Sequence, residues 1–283
     1  MNLVILGATG LLGKLVKSNI QFQGISIFTP NRLEFDFSDP ETVRDYLERV
    51  KPNVLLNCAA WTDVDLAESN AAMVMQINAI GPALAAKICS EIGARFVQIS
   101  TDYVFSGNRE VPWLEESSPC PVSVYGESKA LCEDLIIDAL PNSSLIIRTA
   151  WLYGGIERGF PASIKKSLLS NKDTLRVVND QVGQPTFAGE FADHLASLTL
   201  SNETGFLHCS NTGQTTWFDF AVLIAQSLGI SSTRITPISS SQGIRKAARP
   251  SYSVLSNQKI GRLWLGSMSR WDHAFKVHES EQK

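Results

Sequence analysis

The chain has 283 residues, 44% of them hydrophobic and 19% charged, with a formal net charge of −3 and a sequence pI near 5.9. That composition is ordinary for a soluble globular protein of one large or two modest domains. It offers no basic excess for nucleic acid, and no apolar run approaches the ~20 residues of a membrane helix.

Residues 2–6, "NLVIL", read as a strand with no signal-peptide pattern before it, and 11–20 as a helix. A second strand is expected at 25–29, then a helix at 40–50 with Asp39 as N-cap and Pro40 at its first position. The third strand is 53–59, followed by a long helix at 71–92, a strand at 95–100, a helix at 123–140 and a strand at 144–152. Continuous apolar strands alternating with helices predict an α/β fold, a doubly wound, Rossmann-like parallel sheet covered on both faces. Beyond about residue 150 the pattern loosens: helices at 159–170 and 217–229, strands at 174–180 and 205–210, and Ser, Pro and Arg concentrated between 231 and 256. The expected division is a dinucleotide-binding domain over 1–150, with 174–210 returning to it, and a smaller mixed lobe over 151–283 that mainly binds substrate. The five cysteines, Cys58, Cys89, Cys120, Cys132 and Cys209, include no C-x-x-C pair. Zinc and redox motifs are therefore unsupported, and a reduced, cytoplasmic protein is expected.

"GATGLLG" sets glycines at 7, 10 and 13 between the first strand and the first helix. In that context it is a dinucleotide-binding loop: Gly7 for the turn, Gly10 for backbone approach to a diphosphate, Gly13 for helix–strand packing. Thr9, Leu11 and Leu12 complete the cofactor-facing loop. The second strand ends at Thr29, Asn31 and Arg32 with no acid among them. An arginine there suits a ribose 2′-phosphate, so NADPH is favoured over NADH; Asp36 and Phe37 are placed at the adenine edge.

Thr101 follows the fourth strand, where ligands of a doubly wound sheet bind. Tyr125 and Lys129, one helical turn apart in "VYGESKALCE", follow 24 residues later. A hydroxyl, a phenol and an ammonium thus converge on the cofactor crevice. The set resembles the extended short-chain dehydrogenase/reductases, and within them the dTDP-4-dehydrorhamnose reductases. The supporting stretches are "NCAAWTDVDLAE", "INAIGPALAA", "STDYVFSG", "RTAWLYG", "NDQVGQPTFAGEFA", "TTWFDFA" and "ARPSYSVLS".

That resemblance implies NADPH-dependent reduction of the C4 ketone of a nucleotide-linked 4-keto-6-deoxy sugar by a monomer or homodimer. It makes Tyr125 the proton donor, Lys129 the ribose ligand that lowers the phenol's pKa, and Thr101 a hydrogen-bond donor to the reacting oxygen. Ala59 and Ala60 pack on the cofactor, and Thr62 meets both cofactor and sugar. Val64, Asp102 and Trp151 line the sugar pocket, and Arg249 approaches the nucleotide diphosphate. Trp113, Trp264 and Trp271 are expected to pack in a core, and Trp217 to border the nucleotide. Glu190 lies in a segment that resembles a magnesium-linked dimer contact of some relatives, but no matching acids stand on the first helix, so Mg2+ is not carried over. Rival readings are a 4,6-dehydratase, for which Tyr103 replaces the needed glutamate; a 4-epimerase; and a non-catalytic subunit like the β subunit of methionine adenosyltransferase.

Overall fold

A computed structural model describes residues 1–155, 159–170, 173–243 and 245–281. Six parallel strands form the central sheet: β1 (Asn2–Leu6), β2 (Ser26–Phe28), β3 (Val54–Asn57), β4 (Arg95–Thr101), β5 (Ser144–Thr149) and, much later in the chain, Gly205–His208. Their spatial order is Gly205–His208, β5, β4, β3, β1, β2, with Leu3 opposite Val54 and Thr101 opposite Thr149. The strand order reverses between β1 and β3, which opens a crevice beyond their carboxyl ends.

The strands are apolar throughout because both faces are covered. Alternate residues point to opposite sides. Leu3, Ile5, Leu56, Val97 and Ile147 pack with Val16, Phe191, Leu195 and Leu198, from the helices Leu11–Lys17 and Ala188–Leu200. Val4, Leu6, Leu55, Phe96 and Ile146 pack with Val43, Leu47, Ile88, Cys132 and Ile136 on the opposite side. Those partners come from Pro40–Val50, Ala71–Ile92 and Val124–Ala139. The first of these helices begins at Pro40 with the Asp39 carboxylate accepting the Glu41 N–H.

The helix Ala71–Ile92 departs from the expected absence of a membrane-length apolar run. Its 22 residues are long and apolar enough to cross a membrane by length and composition only, and half of its most apolar stretch is buried inside the fold. Its second turn, Gln76–Ile80, is a π segment, a local widening that changes which side chains face the crevice.

The 174–210 stretch divides. The helix Ala188–Leu200 and the strand Gly205–His208 join the main sheet, whereas Leu175–Val178 pairs in parallel with Ile235–Ile238 outside it. A third apolar cluster around Tyr153, Phe220, Trp271 and Phe275 fills this outer region. The helices Ala188–Leu200 and Trp271–Glu281 had no counterpart in the sequence-based expectation. Trp113 and Trp271 are buried as expected, but Trp264 is 63% exposed and belongs to no core.

Candidate active site

The glycine loop folds as its sequence requires. Gly7 has φ +71°, and a Cβ on it would lie 2.7 Å from the Ala59 nitrogen. A Cβ on Gly13 would lie 2.2 Å from the Gly7 oxygen, so the helix meets the loop only because that atom is missing. Gly10 caps the helix with no side-chain bond to the first N–H groups, which leaves them for an anion.

Two cavities flank this loop. One, of about 420 Å3, is lined by Gly7, Thr9, Arg32, Asp36, Phe37 and Ile77 among others. The other, of about 430 Å3, is lined by Gly10 to Gly13, Thr62, Thr101, Tyr125, Lys129 and Trp151, with Asn57, Cys58, Ser100 and Thr149. Ala59 and Ala60 line both, so the two form one crevice. These residues fit a dinucleotide: small side chains at the join, free N–H groups in the middle and a guanidinium at one end. Arg32 is held by the Asp36 carboxylate, Nε to Oδ2 at 3.1 Å, while Asp36 also accepts the Ser38 hydroxyl and N–H. Those bonds keep the Asp36 carboxyl below its ordinary range, the Ser38 hydroxyl first among them. Lys17 is a second cation on this cavity that the sequence reading missed.

At the other end Ser123 caps the helix Val124–Ala139 by accepting the Gly126 N–H at 3.2 Å. Gly126 has to be glycine, since a Cβ there would stand 2.3 Å from the Tyr103 carbonyl. That contact seats Tyr125 beside Thr101, whose hydroxyl favours the ionised phenol. Burial prevails, however, and pushes the phenol up to about 12, so Tyr125 is protonated at neutral pH. The expected lowering by Lys129 does not occur in this arrangement. The Lys129 ammonium donates to the Ile99 carbonyl at 2.6 Å, and burial lowers its own pKa.

Val64, Asp102 and Arg249 are not among the residues lining these two cavities. Val64 opens the short helix Val64–Ala67 and lines neither cavity. Asp102 sits behind Thr101 at 2% exposure. Arg249 is bound to Asp65 by two parallel bonds, Nη1–Oδ1 at 2.8 Å and Nη2–Oδ2 at 2.7 Å. It lines a separate basic cavity with Gln181, Arg245 and Lys246, none of which the sequence reading named. Trp151, at φ +43°, stacks on Trp217 with ring centroids 3.5 Å apart. Glu190 accepts bonds from Asn211 and Ser269, and no cluster of three metal-binding side chains occurs among the described residues.

Asn78 falls within the stretch "INAIGPALAA" but was assigned no role from the sequence. Its amide bonds the Trp61 N–H at 2.7 Å, the Trp61 carbonyl at 3.0 Å and the Ser128 hydroxyl at 3.0 Å. It thereby ties the loop after β3 to the helix that carries Tyr125. Gln76, two residues earlier in the π segment, donates to the Phe37 carbonyl at 2.7 Å.

The family model described as "RmlD substrate binding domain" matches residues 1–281. A dTDP-4-dehydrorhamnose reductase of Streptomyces griseus is 37% identical over 273 residues, 95% of this chain and 90% of that protein. The spore coat polysaccharide biosynthesis protein SpsK of Bacillus subtilis is 35% identical, covering 99% and 97%. The crystal structure of a Bacillus anthracis dTDP-4-dehydrorhamnose reductase in complex with NADP superposes with a TM-score of 0.93 at 30% identity, over 99% of each chain. A dTDP-glucose 4,6-dehydratase of Streptomyces venezuelae, at 18% identity and a TM-score of 0.78, shares the fold alone. The chain thus belongs to the dTDP-4-dehydrorhamnose reductase family, a group of NAD(P)-dependent oxidoreductases.

Proposed function

We propose that this chain reduces the C4 ketone of dTDP-4-dehydro-β-L-rhamnose to give dTDP-L-rhamnose, with NADPH as reductant. The supporting observation is that Thr101, Tyr125 and Lys129 line one cavity that opens over Ala59 and Ala60 onto a second one holding Arg32. A nicotinamide cofactor supplies the hydride when bound. Tyr125, kept protonated by burial, gives its proton to the ketone oxygen as negative charge develops there. Thr101 orients that oxygen, and Lys129 holds ribose hydroxyls near the end of β4. Trp151 forms a wall for the sugar. The cavity of Arg245, Lys246 and Arg249 receives the negatively charged nucleotide end of the substrate. The reading carries with it a cytoplasmic biosynthetic enzyme working as a monomer or homodimer.

The test is direct. Purified protein, NADPH and freshly made dTDP-4-dehydro-6-deoxy-L-mannose are mixed, cofactor absorbance is followed, and the product is identified by mass spectrometry and NMR. Stoichiometric formation of dTDP-L-rhamnose is expected. Failure to oxidise NADPH with this substrate, or a product epimeric at C4, overturns the reading.

A further inference from the structure

The mechanism above leaves one buried carboxyl next to the site unused. Asp102 Oδ1 accepts the Thr101 hydroxyl at 3.1 Å, and Oδ2 has no hydrogen-bond partner among the described residues, although the Ser253 hydroxyl faces the group. Thr101 Oγ1 in turn accepts the Tyr103 N–H at 3.2 Å and lies beside the Tyr125 phenol. A threonine hydroxyl has one proton and two lone pairs. If Asp102 is ionised, the Thr101 proton points at it. One Thr101 lone pair is then left open, which draws the Tyr125 proton away from a substrate. If Asp102 is protonated, its O–H and the Tyr103 N–H fill both lone pairs. The Thr101 proton then turns to the crevice, and the Tyr125 proton does the same.

We propose that Asp102 is a positioning residue whose protonation sets the direction of the Asp102–Thr101–Tyr125 hydrogen-bond chain, so that only the protonated form presents both hydroxyl protons to the reacting oxygen. The unpartnered Oδ2 supports this, because a neutral carbonyl oxygen tolerates burial better than a carboxylate oxygen. Burial pushes the carboxyl up to about 7, so both states are populated near neutral pH. The groups facing it are the hydroxyls of Ser253 and Thr101 and the backbone N–H groups of Asp102 and Tyr103, all of which favour the carboxylate against the larger effect of burial, and the phenols of Tyr103 and Tyr125. The guanidinium groups of Arg245 and Arg249 act on Tyr103.

The proposal rests on the reductase reading. Its test is kcat/KM for the keto sugar against pH at saturating NADPH. The wild-type value should fall about tenfold per pH unit above the Asp102 midpoint. In Asp102→Asn, whose amide always donates, that fall should vanish while at least about a tenth of the acid-side rate remains. The same fall in Asp102→Asn, or a loss uniform at all pH values, overturns the proposal. Infrared titration of the wild-type protein decides the matter without the variant: a carboxylic acid band should disappear at the pH where the rate falls, and absence of any such band above about pH 5 overturns the proposal. A wild-type protein with no turnover at any pH instead sinks the reductase reading, and the titration still reports on Asp102.

Discussion

The Arg148 guanidinium grips the Glu133 carboxylate through Nη2–Oε2 at 2.6 Å and Nε–Oε1 at 2.9 Å, with both side chains at 1% exposure or less. The rings of Phe105 and Phe206 lie 4.9 and 4.6 Å from the guanidinium carbon. Glu133 is one turn beyond Lys129 on the same helix, and Arg148 precedes Thr149 at the mouth of the crevice. The pair therefore clamps the Tyr125 helix to β5. Arg148→Met strands a buried carboxylate and should cost ~3–5 kcal/mol of stability in urea denaturation. Adding Glu133→Leu should restore most of that loss, since no charge is then left unpaired. A double variant as unstable as the single one would refute this account.

Tyr125→Phe removes one hydroxyl and keeps the ring. It should leave the melting temperature and NADPH binding near wild type and lower kcat by ~10²–10⁴. Stopped-flow turnover with the verified substrate, alongside calorimetry for NADPH, checks both halves.

Arg32→Glu reverses the charge at the cavity of Gly7 and Phe37. The Arg32 side chain is 75% exposed, so the effect should be about tenfold rather than larger. The KM for NADPH should rise by that factor while the KM for NADH holds or falls. An equal rise for both would remove Arg32 from 2′-phosphate recognition.

Gly183→Ala places a Cβ 2.4 Å from the Trp151 ring. Trp151 is already at a positive φ and stacked on Trp217, so it has little freedom to yield. The expected result is an altered tryptophan fluorescence spectrum and a keto-sugar KM raised about tenfold, with NADPH affinity within about twofold of wild type.

Acid should loosen the loop around Arg249. Hydrogen bonds from Arg249, then from the backbone N–H groups of Ala247 and Lys246, hold the Asp65 carboxyl far below its ordinary range. A carboxyl depressed in the folded state stabilises fully above its unfolded pKa of about 4, and the contribution disappears as pH falls towards the folded value. The melting temperatures of wild type and Asp65→Asn should therefore differ most near neutrality and converge below about pH 4.

Much of this architecture is legible in one sequence because it repeats. Apolar strands, glycines at fixed spacing and a one-turn Tyr–Lys pair are local patterns, and each folds as its period demands. Asn78 escaped because a helix read at uniform period puts it nowhere in particular; the π segment Gln76–Ile80 is what turns it inward. Asp102 was placed in the sugar pocket by the family resemblance, and no local pattern shows that its carboxyl is buried. Thr101 ends a strand and Asp102 opens a 3-10 turn, which lays the Asp102 carboxylate against the Thr101 hydroxyl at 3.1 Å and buries it. Arg249 illustrates a third limit, since its partner Asp65 lies 184 residues away and no local pattern announces the pair.

On the proposed function, the two-alanine sill between the cavities would make a dinucleotide a bivalent ligand. Each half of a dinucleotide that settles in its own compartment raises the local concentration of the other to the ~mM range. Tight binding then comes from tethering as much as from contact. A 2′-phosphorylated adenosine and nicotinamide mononucleotide, added separately, should occupy the crevice together yet weakly. A valine at Ala59 or Ala60 would leave both compartments usable by the fragments and cut the avidity of the intact dinucleotide.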